Sequence, residues 1–153
     1  MTPLSLSQKS VLRARGAIAA LILLLPALVA EYIFARKGVF LPGIVTGLTL
    51  LLGGLLIFAM PARRYAAWSY DAGEDELHVR QGIWLQNRTI VPFGRVQHID
   101  VSQGPIERRY GVGTLTLHTA GTRSSAVTLP GLDLEQAERM RDEIRGKIRQ
   151  DLV

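Results

Sequence analysis

The chain contains no cysteine among its 153 residues. A disulfide framework, a thiolate zinc site and a cysteine nucleophile are therefore excluded. Short catalytic signatures are missing as well: the sequence has no H-E-x-x-H, no G-x-S-x-G and no phosphate-cradling glycine loop. We therefore predict a protein that is not an enzyme and that uses no cofactor and no metal.

Charge is nearly absent from two long stretches. Ala17–Ala35 contains only Glu31, and Val39–Met60 contains no charged residue. A helix needs about 20 apolar residues to cross the ~30 Å hydrocarbon core of a bilayer, and both stretches are long enough. The pattern predicts a two-helix transmembrane hairpin over residues 16–62, with spans near 17–35 and 39–60.

Two other readings of these stretches are weaker. If the two stretches were core helices of a soluble protein, the rest of the chain would have to cover them on all sides. It is too small to cover two uniformly apolar helices. As a signal peptide, the first stretch would be cut after Ala30. It is long for such a segment, however, and a second apolar run follows at once.

The basic residues indicate an orientation for the hairpin. Three precede the first span and two follow the second, whereas the connecting loop holds only Arg36 and Lys37. Since cytoplasmic flanks are enriched in Lys and Arg, both termini are predicted to be cytoplasmic, with residues 1–15 as an N-terminal segment. Residues 1–60 carry +4 of the net charge of +5, so the basic balance reflects membrane topology and no nucleic-acid partner is expected.

Residues 63–153 have a different character, because short alternating runs of β-formers are separated by turn residues. Leu77, Val79 and Ile83 fall on one face of such a run. The period then changes to that of a helix near the C-terminus. We predict an α+β, PH-like domain: a small antiparallel β-sandwich or open barrel of six to seven strands, capped by a C-terminal helix. The predicted core comprises Leu77, Val79, Leu115, Leu117, Val127, Leu129, Met140 and Ile144.

Three segments of this region resemble a known family. They read "EDELHVRQGIW", "TIVPFGRVQHIDVSQGPIERRYGVGTLTLHTAG" and "VTLPGLDLEQAERM", and they lie within residues 65–145. They resemble the YdbS-like bacterial PH-domain family, also called membrane-flanked domain proteins. The resemblance implies a PH-like fold at a bacterial inner membrane and implies no known reaction.

The stretch from Arg95 to Tyr110 holds most of the candidate functional side chains. His98 and Asp100 lie two apart on a predicted strand and share a face, and with His118 or His78 they form the one conceivable metal set. Gly104-Pro105 breaks the strand, after which Glu107 and its neighbours are expected to point outward. The predicted contact surface consists of Arg95, His98, Asp100, Glu107, Arg108, Arg109 and Tyr110.

Several functions fit this stretch. The first is a non-catalytic binding or assembly module for a membrane protein partner or a second copy of the chain. The second is a sensor of anionic lipid, in which Arg108 and Arg109 bind phosphate. A metal-dependent enzyme is a third, weaker possibility, and a purely structural turn with an Arg95–Asp100 pair is the plainest. The acidic loop "DAGEDE", Asp71–Glu76, argues against phosphoinositide binding, which in PH domains often uses a basic loop at this position.

Overall fold

A computed structural model describes residues 2–38, 43–120 and 126–150 of the chain. The chain divides into two compact units. One unit is Lys9–Arg63, and the other combines Met1–Gln8 with Arg64–Val153.

The helical unit contains two long apolar helices. Helix α1 is Ser7–Arg36, and the second helix runs from Ile44 to Ala66. It consists of α2 (Ile44–Gly54), a π-helical turn (Leu55–Ala59) and α3 (Met60–Ala66). Both are long and apolar enough to cross a membrane. In the most apolar part of each helix, only 6% and 11% of the residues, respectively, are buried. Core helices of a soluble protein would be mostly buried, so this exposure favours a lipid environment.

Proline and glycine set the local geometry of this unit. Pro61 lacks an N–H and its ring crowds the carbonyl four residues earlier, which explains the π-helical turn just before it. A Cβ added at Gly16 would lie 2.4 Å from the Leu56 carbonyl oxygen, so the two helices approach closely there. Gly47 and Gly54 take no part in this close approach, because a Cβ at either position has no described atom within 4 Å.

The second unit contains two antiparallel sheets. Sheet A has the order β1-β2-β3-β4 and sheet B the order β5-β6-β7. The strands of sheet A are β1 (Thr2–Pro3), β2 (Ser69–Ala72), β3 (Glu76–Gln81) and β4 (Asn87–Pro92). Those of sheet B are β5 (Val96–Ser102), β6 (Val112–Thr119) and β7 (Ala126–Asp133). A 3₁₀ turn (Phe93–Arg95) joins the sheets, a short helix α4 (Pro105–Arg109) links β5 to β6, and α5 (Leu134–Gln150) ends the unit.

This arrangement confirms the predicted fold. Of the predicted core residues, all but Val127 are buried, and Val127 packs against the same cluster. Helix α5 contributes Ala137, Met140 and Ile144, whose spacing of three and four places them on one face. One strand end is wrong: β3 stops at Gln81, so Ile83 lies in an exposed turn and not on the core face.

The N-terminal residues form part of this second unit, which the sequence does not anticipate. Strand β1 pairs with β2, and Leu4 is buried in the core. The Tyr65 hydroxyl donates to the Leu4 carbonyl oxygen at 2.7 Å, and the Ser5 N–H donates to the Gly131 carbonyl oxygen at 2.8 Å. The Gln8 side chain occupies the space that a Cβ on Gly131 would need. Residues on both sides of the helical unit therefore build one domain.

Candidate binding surface

A carboxylate between two imidazoles marks the outer face of sheet B. His98 and Asp100 alternate outward on β5, and His118 lies opposite His98 on β6. His98 Nε2 lies 2.8 Å from Asp100 Oδ1, and His118 Nε2 lies 3.1 Å from Asp100 Oδ2. The two rings are 5.9 Å apart between centroids. The structure therefore brings together three of the side chains that the sequence singles out.

This cluster offers hydrogen bonds at an open surface. The three side chains are 42–70% exposed, so water competes for every polar atom. Within the described ranges, no three His, Cys, Asp or Glu side chains converge in a way that could hold a metal ion. His78, the other candidate ligand, is on sheet A and lies 2.6 Å from Glu76. The arrangement suits recognition by hydrogen bonding.

The segment after β5 forms the short helix α4 and not a simple turn. Gly104 is its N-cap, Pro105 opens the first turn, and Glu107 at the third position accepts the Gly104 N–H at 2.7 Å. The expectation that Glu107 points outward is wrong: its side chain is buried, because it folds back to cap the helix. Glu107 therefore belongs to the support of the surface and not to its exposed part.

The remaining predicted residues lie at opposite ends of β5. Arg95 ends the 3₁₀ turn before the strand, whereas Arg108, Arg109 and Tyr110 lie beyond its far end and are exposed. Seven strand residues at about 3.3 Å each separate them by roughly 20 Å. The suggested pair between Arg95 and Asp100 is wrong, because Asp100 pairs with the two histidines. We call the exposed set the β5 strip: Arg95, His98, Asp100, Arg108, Arg109 and Tyr110.

The strip runs along an edge strand. In the part of the chain that the structure describes, four strands lie at a sheet edge: β1, β4, β5 and β7. Three of them contain a proline, at positions 3, 92 and 130, and proline blunts an edge because it lacks a donor. Strand β5 contains none, although a register shift between Val96 and His98 interrupts its first half. The absence of proline from "VQHIDVS" is the sequence signal of this open edge.

Comparison with known proteins gives the family. The family model described as Bacterial PH domain matches residues 11–148. The chain is 41% identical over 101 residues to the protein named UPF0699 transmembrane protein YdbS from Bacillus subtilis (strain 168), covering 65% of this chain and 62% of that protein. It is 24% identical over 96 residues to UPF0699 transmembrane protein YdbT of the same organism, covering 61% of this chain and 20% of that protein.

These matches take in less than two thirds of the length of either relative. No solved structure gives a significant match. The two exposed apolar helices and the relatives named as transmembrane proteins together support a membrane location for this chain. With a family match over nearly the whole length and the predicted two-sheet domain in place, the chain belongs to the YdbS-like bacterial PH domain family.

Proposed function

We propose that this protein is a non-catalytic, membrane-anchored binding module whose PH-like domain docks a protein partner along the β5 strip. The observation that carries the proposal is the seven-residue edge strand β5, the one described edge without a proline. An edge strand presents backbone donors and acceptors that an extended partner segment can pair with. Helix α5 packs against this strand, so a partner strand would lie in a helix-flanked groove.

The side chains of the strip supply specificity. Asp100 and its two histidines present both hydrogen-bond donors and acceptors beside the strand. Arg108 and Arg109 add guanidinium groups that pair with carboxylates in a fixed, two-pronged geometry. Tyr110 adds an exposed aromatic ring, a residue type that is enriched at protein interfaces. An extended segment with acidic residues towards the α4 end is the partner that this pattern fits.

We further propose that the hairpin crosses the bacterial inner membrane twice and that both termini are cytoplasmic. The distribution of Lys and Arg favours this orientation. Residues before α1 and after the second helix build one domain, which supports a placement of both ends of the hairpin on the same side. Because the chain lacks cysteine, Leu6→Cys and Lys37→Cys each give a single labelling site. An impermeant maleimide applied to spheroplasts should label position 37 and not position 6; labelling of both or of position 6 alone would refute the orientation.

The partner is tested by crosslinking in the cell. A photo-reactive residue at Ser102, an exposed position on β5, should give a discrete protein adduct that mass spectrometry identifies. The matched control is Arg139, an exposed position on α5, where the adduct should be absent. An adduct at twice the mass of the chain would identify a second copy as the partner. Lipid-only adducts, or the same adducts at both positions, would contradict docking on β5.

A further inference from the structure

The turn between β3 and β4 exposes three consecutive large apolar side chains. Ile83, Trp84 and Leu85 are all exposed, and Trp84 is 92% accessible. Turns exposed to water are built mainly from polar residues. A run of three exposed apolar residues is unfavourable in a soluble protein unless the residues serve a function. We call Gly82–Gln86 the apolar tip.

The tip has a defined backbone and is not a frayed loop end. Gly82 has φ +119°, a conformation that other residues rarely adopt. A Cβ at this position would lie 1.8 Å from the Leu85 carbonyl oxygen, so the turn closes tightly on its first residue. The strands on either side pair in register up to Gln81 and Asn87. The fold therefore holds the apolar side chains outward on a tight turn.

Basic residues flank the tip. Arg80 and Arg88 are Cα partners on neighbouring strands, directly opposite each other. Like charges in that position are unfavourable for the sheet, unless an anionic surface compensates them. Arg80 donates to the Gln86 side chain at 3.0 Å, which keeps its guanidinium at the tip end of the strand. Apolar and aromatic side chains flanked by arginine are typical of segments that enter the interface of an anionic membrane.

The apolar tip lies at one particular end of sheet A. The chain also leaves the sheet at this end to enter the apolar helices. Ser69 is the Cα partner of both Pro3 and Arg80. The second apolar helix ends at Ala66, and three residues span at most about 10 Å of extended chain. Both chain connections to the apolar helices and the apolar tip therefore leave sheet A at the same end.

From this placement we propose that the apolar tip docks onto the bilayer that anchors the chain, with Trp84 in the interfacial layer and Arg80 and Arg88 on anionic headgroups. This site is separate from the β5 strip and stands whether or not a partner binds there. Its function is to hold the domain at the membrane surface, so that the attachment of the domain depends on the lipid composition of the leaflet.

The test uses full-length protein in nanodiscs that contain lipids brominated near the headgroup. The fluorescence of Trp84 is obtained as the difference between the wild-type chain and Trp84→Phe, which removes the constant contribution of Trp68. The proposal predicts that Trp84 loses most of its intensity to brominated lipid and resists aqueous iodide. A matched control moves the exposed ring to the C-terminal end of α4: Trp84→Phe combined with Tyr110→Trp should be quenched by iodide and not by brominated lipid.

Lipid composition and variants separate the outcomes. Phosphatidylglycerol nanodiscs should give stronger lipid quenching of Trp84 than phosphatidylcholine nanodiscs, and Arg80→Gln with Arg88→Gln should remove that difference. A Trp84 that iodide quenches in both membranes would overturn the proposal. Protection from both quenchers would overturn it too, since a protein surface and not lipid would then cover the tip.

Discussion

Leu4 provides the sharpest test of how the domain is assembled. The residue is only two positions from Leu6, yet Leu4 is 4% exposed within the core and Leu6 is 75% exposed. Replacing a buried leucine by alanine removes its transfer free energy and leaves a cavity, which together cost about 2–5 kcal/mol. A terminal segment can detach and so limit the loss, which places the expected cost for Leu4→Ala at about 2–3 kcal/mol. Leu6→Ala should stay within about 0.5 kcal/mol of the wild-type chain.

The assay is thermal unfolding of the full-length chain in detergent micelles, followed by the fluorescence of Trp68, which packs against the core. For a domain of this size, the expected loss lowers the melting temperature by roughly 10 °C or more. Equal melting temperatures for Leu4→Ala and Leu6→Ala would refute the reasoning, because the N-terminal segment would then contribute nothing to the core.

Three further perturbations test the site and the fold. Glu107→Ala removes the cap on the Gly104 N–H and should cost about 1 kcal/mol in a denaturation experiment, with partial rescue by Glu107→Gln, which keeps an acceptor oxygen. Burial raises the pKa of the Tyr70 phenol above its ordinary value of 10.0, so the folded state favours the neutral form. The stability difference between the wild-type chain and Tyr70→Phe should be constant below about pH 10 and should shrink as the pH rises through the raised pKa; a pH-independent difference would contradict this assignment. Gly16→Ala should lower the melting temperature of the detergent-solubilised chain because its Cβ meets a backbone carbonyl, whereas Gly47→Ala, with no described neighbour, should not; equal melting temperatures would refute close packing at Gly16.

The fold was predictable from the sequence where hydrophobic periodicity is unambiguous. The alternation through Leu115 and Leu117 specifies a strand with one buried face, and the spacing of Ala137, Met140 and Ile144 specifies a helix with one buried face. Local pattern was less informative at the ends of elements. The strand pattern extends through Ile83, but Gly82 with its positive φ starts a turn, and the side chain that continues the alternation faces solvent.

The candidate site was only partly predictable. Its residues lie close together in the sequence, but their positions in space depend on the folded structure. His98 and Asp100 share a strand face by simple alternation, and that prediction requires no tertiary information. Whether Arg95 could meet Arg108 and Arg109 depends on the length of β5, which separates the two ends of the site by about 20 Å. Glu107 has the spacing of a capping residue after Gly104-Pro105, but with glycine in place of Ser or Thr the signature is incomplete.

The pairing of β1 with β2 joins the two parts of the chain that the apolar helices separate. Thr2 and Tyr70 are hydrogen-bonded although they lie 68 residues apart. Closing a flexible loop of that length would cost about 4 kcal/mol by chain entropy alone, which a two-residue strand cannot offset. The double membrane crossing that we propose would return the chain to the side from which it started, and would so remove most of that cost before the sheet closes. On this reasoning the domain is complete only when the helices are in place, and a fragment that begins at Arg64 lacks the strand, the buried Leu4 and the bond from Ser5 to Gly131. With that topology, the apolar hairpin would be a folding element of the PH-like domain as well as its anchor.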